Sequence, residues 1–214
     1  ARFVAALCAT LAVPCVVGVR AGQGMASEAE LRAGRDAFFA QQRASLGFEI
    51  LCTAHHLDDR IETMVFNMLR GTKLTGLINM TEESWWILRP LLWVEKIYIL
   101  DYLETNNLQY FEDETNANSD YTRNFIRNEI LPKFSQVHPE HKKNIQNLLS
   151  HFEEIKYHLD AEVQNFLWDE KSFSITSFNM LSSLLQKEII RHIYYISNGN
   201  STIWLTEWNI AEVI

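Results

Sequence analysis

Short apolar runs alternate with amphipathic stretches along the first half of the chain. Arg2 to Leu11 has helical spacing, and Val13 to Val19 is an unbroken apolar, β-branched run, the pattern of a strand buried on both faces. Ala21 to Ala26, with Gly22 and Gly24, predicts a loop. Ser27 is a good N-cap, and Glu28 and Glu30 favour the first turn of a helix that runs to about Leu46. Gly47 stops it, and Phe48 to Thr53 predicts the next strand. His55 and His56 form a turn into a helix from Leu57 to Leu69, closed by Gly71. Trp85 to Leu92 predicts an extended segment that Pro90 confines to an edge or an end, Val94 to Asn106 a helix, and Gln109 to Glu112 a short strand. Strand and helix in alternation argue for an α/β fold, a Rossmann-like parallel sheet with right-handed crossovers.

The pattern changes after Pro132. Pro139 to Trp168 predicts one long helix, with Ile145, Leu148, Leu149, Phe152, Ile155 and Leu159 at helical spacing. Ser177 to Ser197 predicts another, and Thr202 to Ile214 opens a third. The expected organisation is an α/β domain over residues 1–135 and an all-helical part over 136–214. Composition also shifts: twelve of sixteen alanines lie before residue 46, whereas the first asparagine is Asn67 and the first lysine Lys73. Strand and helix units continue across that shift, so it is not read as a domain boundary.

Composition adds limits rather than an assignment. The 214 residues are 47% hydrophobic and 21% charged, which excludes disorder and collagen-like repeats. No apolar run reaches the roughly 18 residues that a membrane-spanning helix needs. Cys8, Cys15 and Cys52 form no C-x-x-C pair and predict buried free thiols in a reducing cytoplasm. The net charge of −8 argues against a nucleic-acid partner only weakly, because a basic surface can be local.

The densest polar cluster is Thr53-Ala-His-His-Leu-Asp-Asp-Arg-Ile-Glu-Thr63. It starts at the carboxyl end of an expected strand, where open α/β sheets bind ligands. His55, Asp59 and Glu62 are spaced to share one helical face, and could hold a divalent cation, bind an ammonium group or exchange protons. The plainer alternative is an exposed acidic helix start capped by Asp58. A second cluster runs from Phe111 to Pro132. In it Arg123 and Arg127 are four apart, with Asn124 beside them, and could clamp a phosphate or a developing negative charge. Ion pairing with Asp120, Glu129 or Glu112 is the alternative. Arg32 and Arg35 lie three apart on the helix after the glycine-containing loop. His138 to Lys143 is a small basic patch, read as a solvated helix start.

In order, the chain carries His55-His-x-Asp-Asp-x-x-Glu-Thr63, Arg70-Gly71, Gly76-Leu77, Arg89-Pro90-Leu91-Leu92, Glu112-Asp-x-x-Asn116 and Arg123-Asn-x-Ile-Arg127 followed by Ile-Leu-Pro132. This series resembles the tRNA(Ile)-lysidine synthase family of PP-loop ATP-pyrophosphatases, over about residues 11–160. Upstream, Glu28-Ala-x-Leu-Arg32-x-x-Arg35 fits the family's Glu-Ala-x-Ala-Arg-x-x-Arg-Tyr, with Leu31 for Ala and Asp36 for Tyr. The resemblance implies a cytoplasmic ligase that uses ATP and Mg2+. Its partners would be free L-lysine and the isoleucine tRNA with a CAU anticodon; a homodimer is left open. ATP adenylates C2 of the wobble cytidine, and the lysine amino group then displaces AMP. Asp59 and Glu62 would hold the lysine ammonium or magnesium, and His55 and Arg35 would orient lysine or phosphate. Arg127 with Arg123 would stabilise charge on the activated intermediate, while Arg32, Asp58 and Asn124 would line the substrate site.

The family's phosphate loop, Ser-Gly-Gly-x-Asp-Ser, is not found in this sequence, and its backbone amides are what cradle pyrophosphate. The expectation is therefore a fragment that lacks its first strand, its phosphate loop and its C-terminal domains, inactive alone. The rival readings are a catalytically incomplete remnant or tRNA-binding module, and a related tRNA-thiolating enzyme. A metal-dependent hydrolase on His55, His56 and Asp59 is more distant.

Overall fold

The computed structural model describes residues 2–19, 28–78, 80–84, 86–111, 122–169 and 172–197. The expected loop over Ala21 to Ala26, the Ser27 cap, the Glu112 to Asn116 motif and the helix from Thr202 lie outside the described residues. The fold is α/β, with a small parallel sheet and a mostly helical part after it. It divides into two compact units, Ala1–Cys52 with Trp85–Leu88, and Thr53–Ser84 with Arg89–Ile214.

The first unit holds α1 (Arg2–Thr10), α2 (Glu28–Leu46), β1 (Leu51–Cys52) and, after β2 (Glu83–Ser84) of the other unit, β3 (Ile87–Leu88). β1 and β3 run parallel, pairing Leu51 with Ile87 and Cys52 with Leu88. Trp86 anchors this pairing: its carbonyl accepts from the Leu51 N–H at 2.6 Å, and the Arg43 guanidinium lies 5.2 Å over its ring. Phe38 packs so tightly on Gly18 that a Cβ there would come within 2.7 Å of the ring, which is why that position carries no side chain.

Several expectations for this unit are corrected. Residues 13–19 form no strand, and Val13, Val16, Val17 and Val19 are exposed. An apolar run becomes a strand only beside a hydrogen-bonding neighbour, and the described ladder joins β1 to β3 instead. The strand expected over Phe48 to Thr53 shrinks to two residues for the same reason. Cys15 and Cys52 are exposed and Cys8 is half-buried, because no described residue of this unit is fully buried.

The second unit is built on α3 (Leu57–Leu69). Leu57, Ile61 and Val65 recur at helical spacing and bury against Ile126, Ile130, Leu131 and Phe134. Met64, on an adjoining face, packs with Ile78, Leu149 and Phe152. The helix ends at Gly71, whose φ of +73° lies in the left-handed region that favours glycine. α4 (Leu74–Leu77) and, beyond turns from Pro90 to Val94, α5 (Lys96–Thr105) follow. Gln109 to Phe111, expected to be a strand, joins no ladder.

α6 (Thr122–Phe125), a π-turn (Ile126–Ile130) and α7 (Leu131–Val137) succeed one another directly, with Pro132 in the opening turn of α7. α8 (His141–Phe166) is the long helix expected. The second expected helix is two, α9 (Ile175–Asn179) and α10 (Ser183–Ser197), because the Ser182 hydroxyl caps a new start by accepting from the Leu185 N–H. Val163, Phe178 and Ile189 form their shared core. No helix among the described residues is long and apolar enough to cross a membrane.

Candidate active site

The amino end of α3 carries the acidic cluster, and His56, rather than Asp58, caps it. With φ −125° and ψ 178°, His56 is extended; its Nδ1 accepts from the Asp59 N–H, while Asp59 Oδ2 accepts from the His56 N–H at 3.1 Å. This reciprocal pair is a capping box in which imidazole replaces the usual hydroxyl. Asp58 is occupied elsewhere. Its carboxylate receives the Lys96 N–H at 2.8 Å and lies 2.6 Å from Lys142 Nζ, which also reaches Glu95 at 3.0 Å. Burial alone would raise the Asp58 pKa, but these donors and the Lys142 charge hold it below the usual carboxylate value. Burial likewise opposes the Lys142 charge, and its two carboxylates outweigh that and raise its pKa.

One turn along, Glu62 points from the same helix face as Asp59 into a site that leaves its side chain 5% exposed. Arg127, delivered by the π-turn, donates to it through both Nε and Nη2 at 2.6 and 2.7 Å. Nη2 also lies 3.4 Å from Asp59 Oδ1. Burial pushes the Glu62 pKa up against the pull of Arg127, and the bond to Glu62 raises that of Arg127. The pair is asymmetric: the carboxylate is buried, whereas the guanidinium side chain is 36% exposed. A cation held by a buried anchor and open on its other side can meet an anionic group without having to reorganise.

Arg123 and Arg127 meet α3 in reverse order. Arg127 pairs with Glu62, and the Arg123 guanidinium lies 5.6 Å over Phe66, so the two segments cross α3 antiparallel. Among the described residues, Arg127 pairs with carboxylates distant in sequence, Glu62 and Asp59; Asp120 and Glu112 lie outside the described residues. Asn124, next to Arg123 on α6, is half-buried. His55 precedes the cap, with its Nδ1 2.8 Å from Thr53 Oγ1, so Asp59 and Glu62 share the helical face without it.

A model of the PP-loop domain matches residues 1–134. The chain belongs to the PP-loop family. Its curated relatives include the tRNA(Ile)-lysidine synthase of Haemophilus ducreyi, 34% identical over 89% of this chain and 46% of that protein. The tRNA(Ile)-lysidine synthase of Bacillus subtilis is 34% identical over 82% of this chain and 39% of that protein. That of Petrotoga mobilis is 40% identical over 56% and 40% respectively. The chain spans less than half the length of these relatives. Among solved structures, the U34-tRNA thiolase NcsA from Methanococcus maripaludis superimposes with a TM-score of 0.55, at 15% identity over 72% of this chain and 55% of that one. That likeness shows the fold.

Within this PP-loop chain, Arg32 and Arg35 belong to the first unit, on α2. Both lie about 4 Å from Asp36, at 4.0 and 3.8 Å, as exposed pairs of the kind that contribute little to stability. Two cations were missed by sequence reasoning. Lys142, expected to be a solvated helix start, is the cation that ties Asp58 to Glu95. Arg60, 2% exposed, runs under α3 to Glu153 and stacks 4.1 Å over Trp93. Only the adjacency of Arg60 to the acidic run could have drawn notice, and charged side chains at such positions are normally solvated.

Proposed function

We propose that the whole protein is a tRNA(Ile)-lysidine synthase, a cytoplasmic ligase. Residues 1–135 form its PP-loop domain and 136–214 the start of a helical part that grips tRNA. The carrying observation is the Arg127 fork on buried Glu62, with Asp59 beside it. Counting Asp58, Asp59, Glu62 and Glu95 against Arg127 and Lys142, the cluster carries an excess of two negative charges when all are ionised. Such a surplus favours a second ammonium group, which suits free lysine, while the exposed guanidinium suits a developing negative charge.

In this reading ATP adenylates C2 of the wobble cytidine in the isoleucine tRNA with a CAU anticodon, releasing pyrophosphate. The lysine amino group then attacks C2 and AMP leaves. Asp59 holds the lysine ammonium near C2, and Glu62 fixes the plane of Arg127. Arg127 faces the phosphoryl charge of the leaving AMP, with Arg123 and Asn124 on the same approach. His55 orients lysine, and Arg32 and Arg35 are assigned to phosphate. No group of three His, Cys, Asp or Glu side chains that could hold a metal ion occurs among the described residues, and at Asp59 and Glu62 the Arg127 guanidinium is the cation present. No step runs through a metal there.

The test is lysine incorporation into an isoleucine tRNA transcript by the full-length protein with ATP. Asp59→Ala and Arg127→Ala are expected to abolish incorporation with the circular dichroism spectrum retained. Near-normal turnover in both variants would remove the assignment. Thiolation is the second reading, favoured by the fold neighbour; sulfur transfer to the same tRNA without lysine would establish it instead.

A further inference from the structure

Three helices of the second unit begin at one place. The Leu57 N–H that opens α3 donates to the Val94 carbonyl at 2.9 Å, and the Lys96 N–H that opens α5 donates to Asp58 Oδ2 at 2.8 Å. Glu95, at the cap position of α5, makes no side-chain cap bond, so the Asp58 carboxylate serves as the cap from another helix. α8 starts there too: Lys142 stands in its first turn, with Nζ 2.6 Å from Asp58 and 3.0 Å from Glu95.

Lys142 sits where its own helix least favours a cation. His141, Lys142 and Lys143 open α8 with no acid in the first turn, although a helix dipole disfavours positive charge at that end. The two carboxylates are therefore what hold the ammonium in place. Asp58 and Asp59 also flank one imidazole: His56 Nδ1 lies 3.8 Å from Asp58 Oδ2, and His56 Nε2 lies 3.5 Å from Asp59 Oδ2. An ammonium group entering this site meets two carboxylates side by side. Lys142 makes them unequal, because Asp58 already has an ammonium against it, whereas Asp59 has the Arg127 guanidinium at 3.4 Å.

We infer that Lys142 is a positioning residue that fills a second ammonium site, at Asp58 and Glu95, and so leaves Asp59 as the carboxylate that receives the free amino acid. The inference rests on the reading of the protein as a lysine-using ligase. Lys142 carries the same head group as that substrate, and its tether gives it an effective concentration that free lysine does not match. Without it, free lysine lodges on Asp58, displaced from the reacting carbon. Lodging there and binding at Asp59 exclude each other, since the two carboxylates share one ring. Unproductive binding of this kind lowers kcat and the KM for lysine by the same factor and leaves kcat/KM unchanged.

The experiment uses the full-length protein carrying Lys142→Ala, which removes the equivalent of propylammonium. Steady-state lysine incorporation is expected to show kcat and the KM for lysine falling together, severalfold, while the KM values for ATP and tRNA stay fixed. A merely loosened structure lowers kcat or raises KM, and does not lower it. Propylammonium chloride is expected to raise the thermal midpoint of Lys142→Ala above its value in equal sodium chloride, and to leave that of the wild type unchanged. Adding Asp58→Asn to Lys142→Ala is expected to abolish that shift and to return the KM for lysine to the wild-type value. Lys142→Arg keeps both pairs and is expected to keep the wild-type KM. Lys142→Gln, which retains an aliphatic stem, takes the same kinetic test should the alanine variant fail to fold. An unchanged or raised KM for lysine in these neutral variants of an active enzyme would overturn the inference and leave the functional reading standing. A midpoint indifferent to propylammonium would overturn the second ammonium site. A wild-type protein that adds no lysine to the tRNA would end the functional reading, and the inference with it.

Discussion

Arg127 holds Glu62 by two parallel N–H···O bonds, so the orientation of the guanidinium is set by a carboxylate that water barely reaches. Removing one partner differs in consequence from removing both. Arg127→Met strands a buried carboxylate and is expected to destabilise the fold by about 3 kcal/mol. Adding Glu62→Leu is expected to recover much of that loss, since no charge is left unpaired. Urea unfolding of the two single variants and the double variant checks this; additive losses would contradict it.

Lysine at position 127 keeps the charge but cannot reproduce the fork. Arg127→Lys is therefore expected to retain stability within about 1 kcal/mol and still lose roughly a hundredfold in turnover, comparable to removing one preorganised donor. Steady-state kinetics of lysine incorporation would show it, and a turnover within threefold of wild type would count against the role given to Arg127.

The Asp58–Lys142 pair has a pH signature. The Asp58 pKa lies below its ordinary 3.8 when folded, so its contribution is complete above that value and is lost as pH falls through the depressed one. The Lys142 pKa lies above its ordinary 10.5, so its contribution is complete below that value and is lost as pH rises through the elevated one. Between those limits the pair contributes at full strength. Lys142→Met is expected to flatten the acid limb of stability against pH, and an unchanged limb in thermal unfolding would refute the coupling.

Arg60 and Glu153 are expected to behave unequally. Arg60 is 2% exposed, and its Nε and Nη1 are buried without a hydrogen-bond partner, whereas the Glu153 side chain is 28% exposed. Glu153→Ala leaves a buried cation without its carboxylate, at an expected cost of about 3–5 kcal/mol. Arg60→Met leaves a carboxylate that water can solvate and a chain that still packs on Trp93, so its cost is expected to be much smaller. Denaturant midpoints that reverse this order would sink the argument.

The His56 cap carries a smaller expectation. His56→Ala removes the side-chain half of the capping box and is expected to cost about 1 kcal/mol, with His56→Asn recovering most of it. Chemical denaturation measures both; equal stability of the alanine and asparagine variants would remove the cap from the account.

What could be read in advance followed local chemistry. α3 was legible from end to end because its apolar period and Gly71 are nearby signals, and the acidic cluster was placed at its head by the strand before it. Residues 13–19 were not, since an apolar run does not say which neighbour, if any, hydrogen-bonds to it. The partners of Asp58 and Arg127 were missed for a related reason. Lys142 and Glu62 are far from them in sequence, and a charged residue on a helix gives no local sign that it is shielded from water. Ser182, by contrast, was a visible cap that the continuous apolar pattern of α9 and α10 concealed.

The wide turn at Ile126–Ile130 accommodates one residue more than a tight helical coil would. Excising that residue would let the backbone close into an ordinary coil with the flanking turns in place, whereas tightening the turn with the residue retained would swing everything downstream by roughly 100° about the helix axis. Ile126 would keep its seat against Leu57 and Ile61, but Leu131 and Phe134 would rotate out of it. The bulge therefore acts as a phase setting: it lets one continuous rod offer a basic group to α3 at one level and a greasy seam at the next.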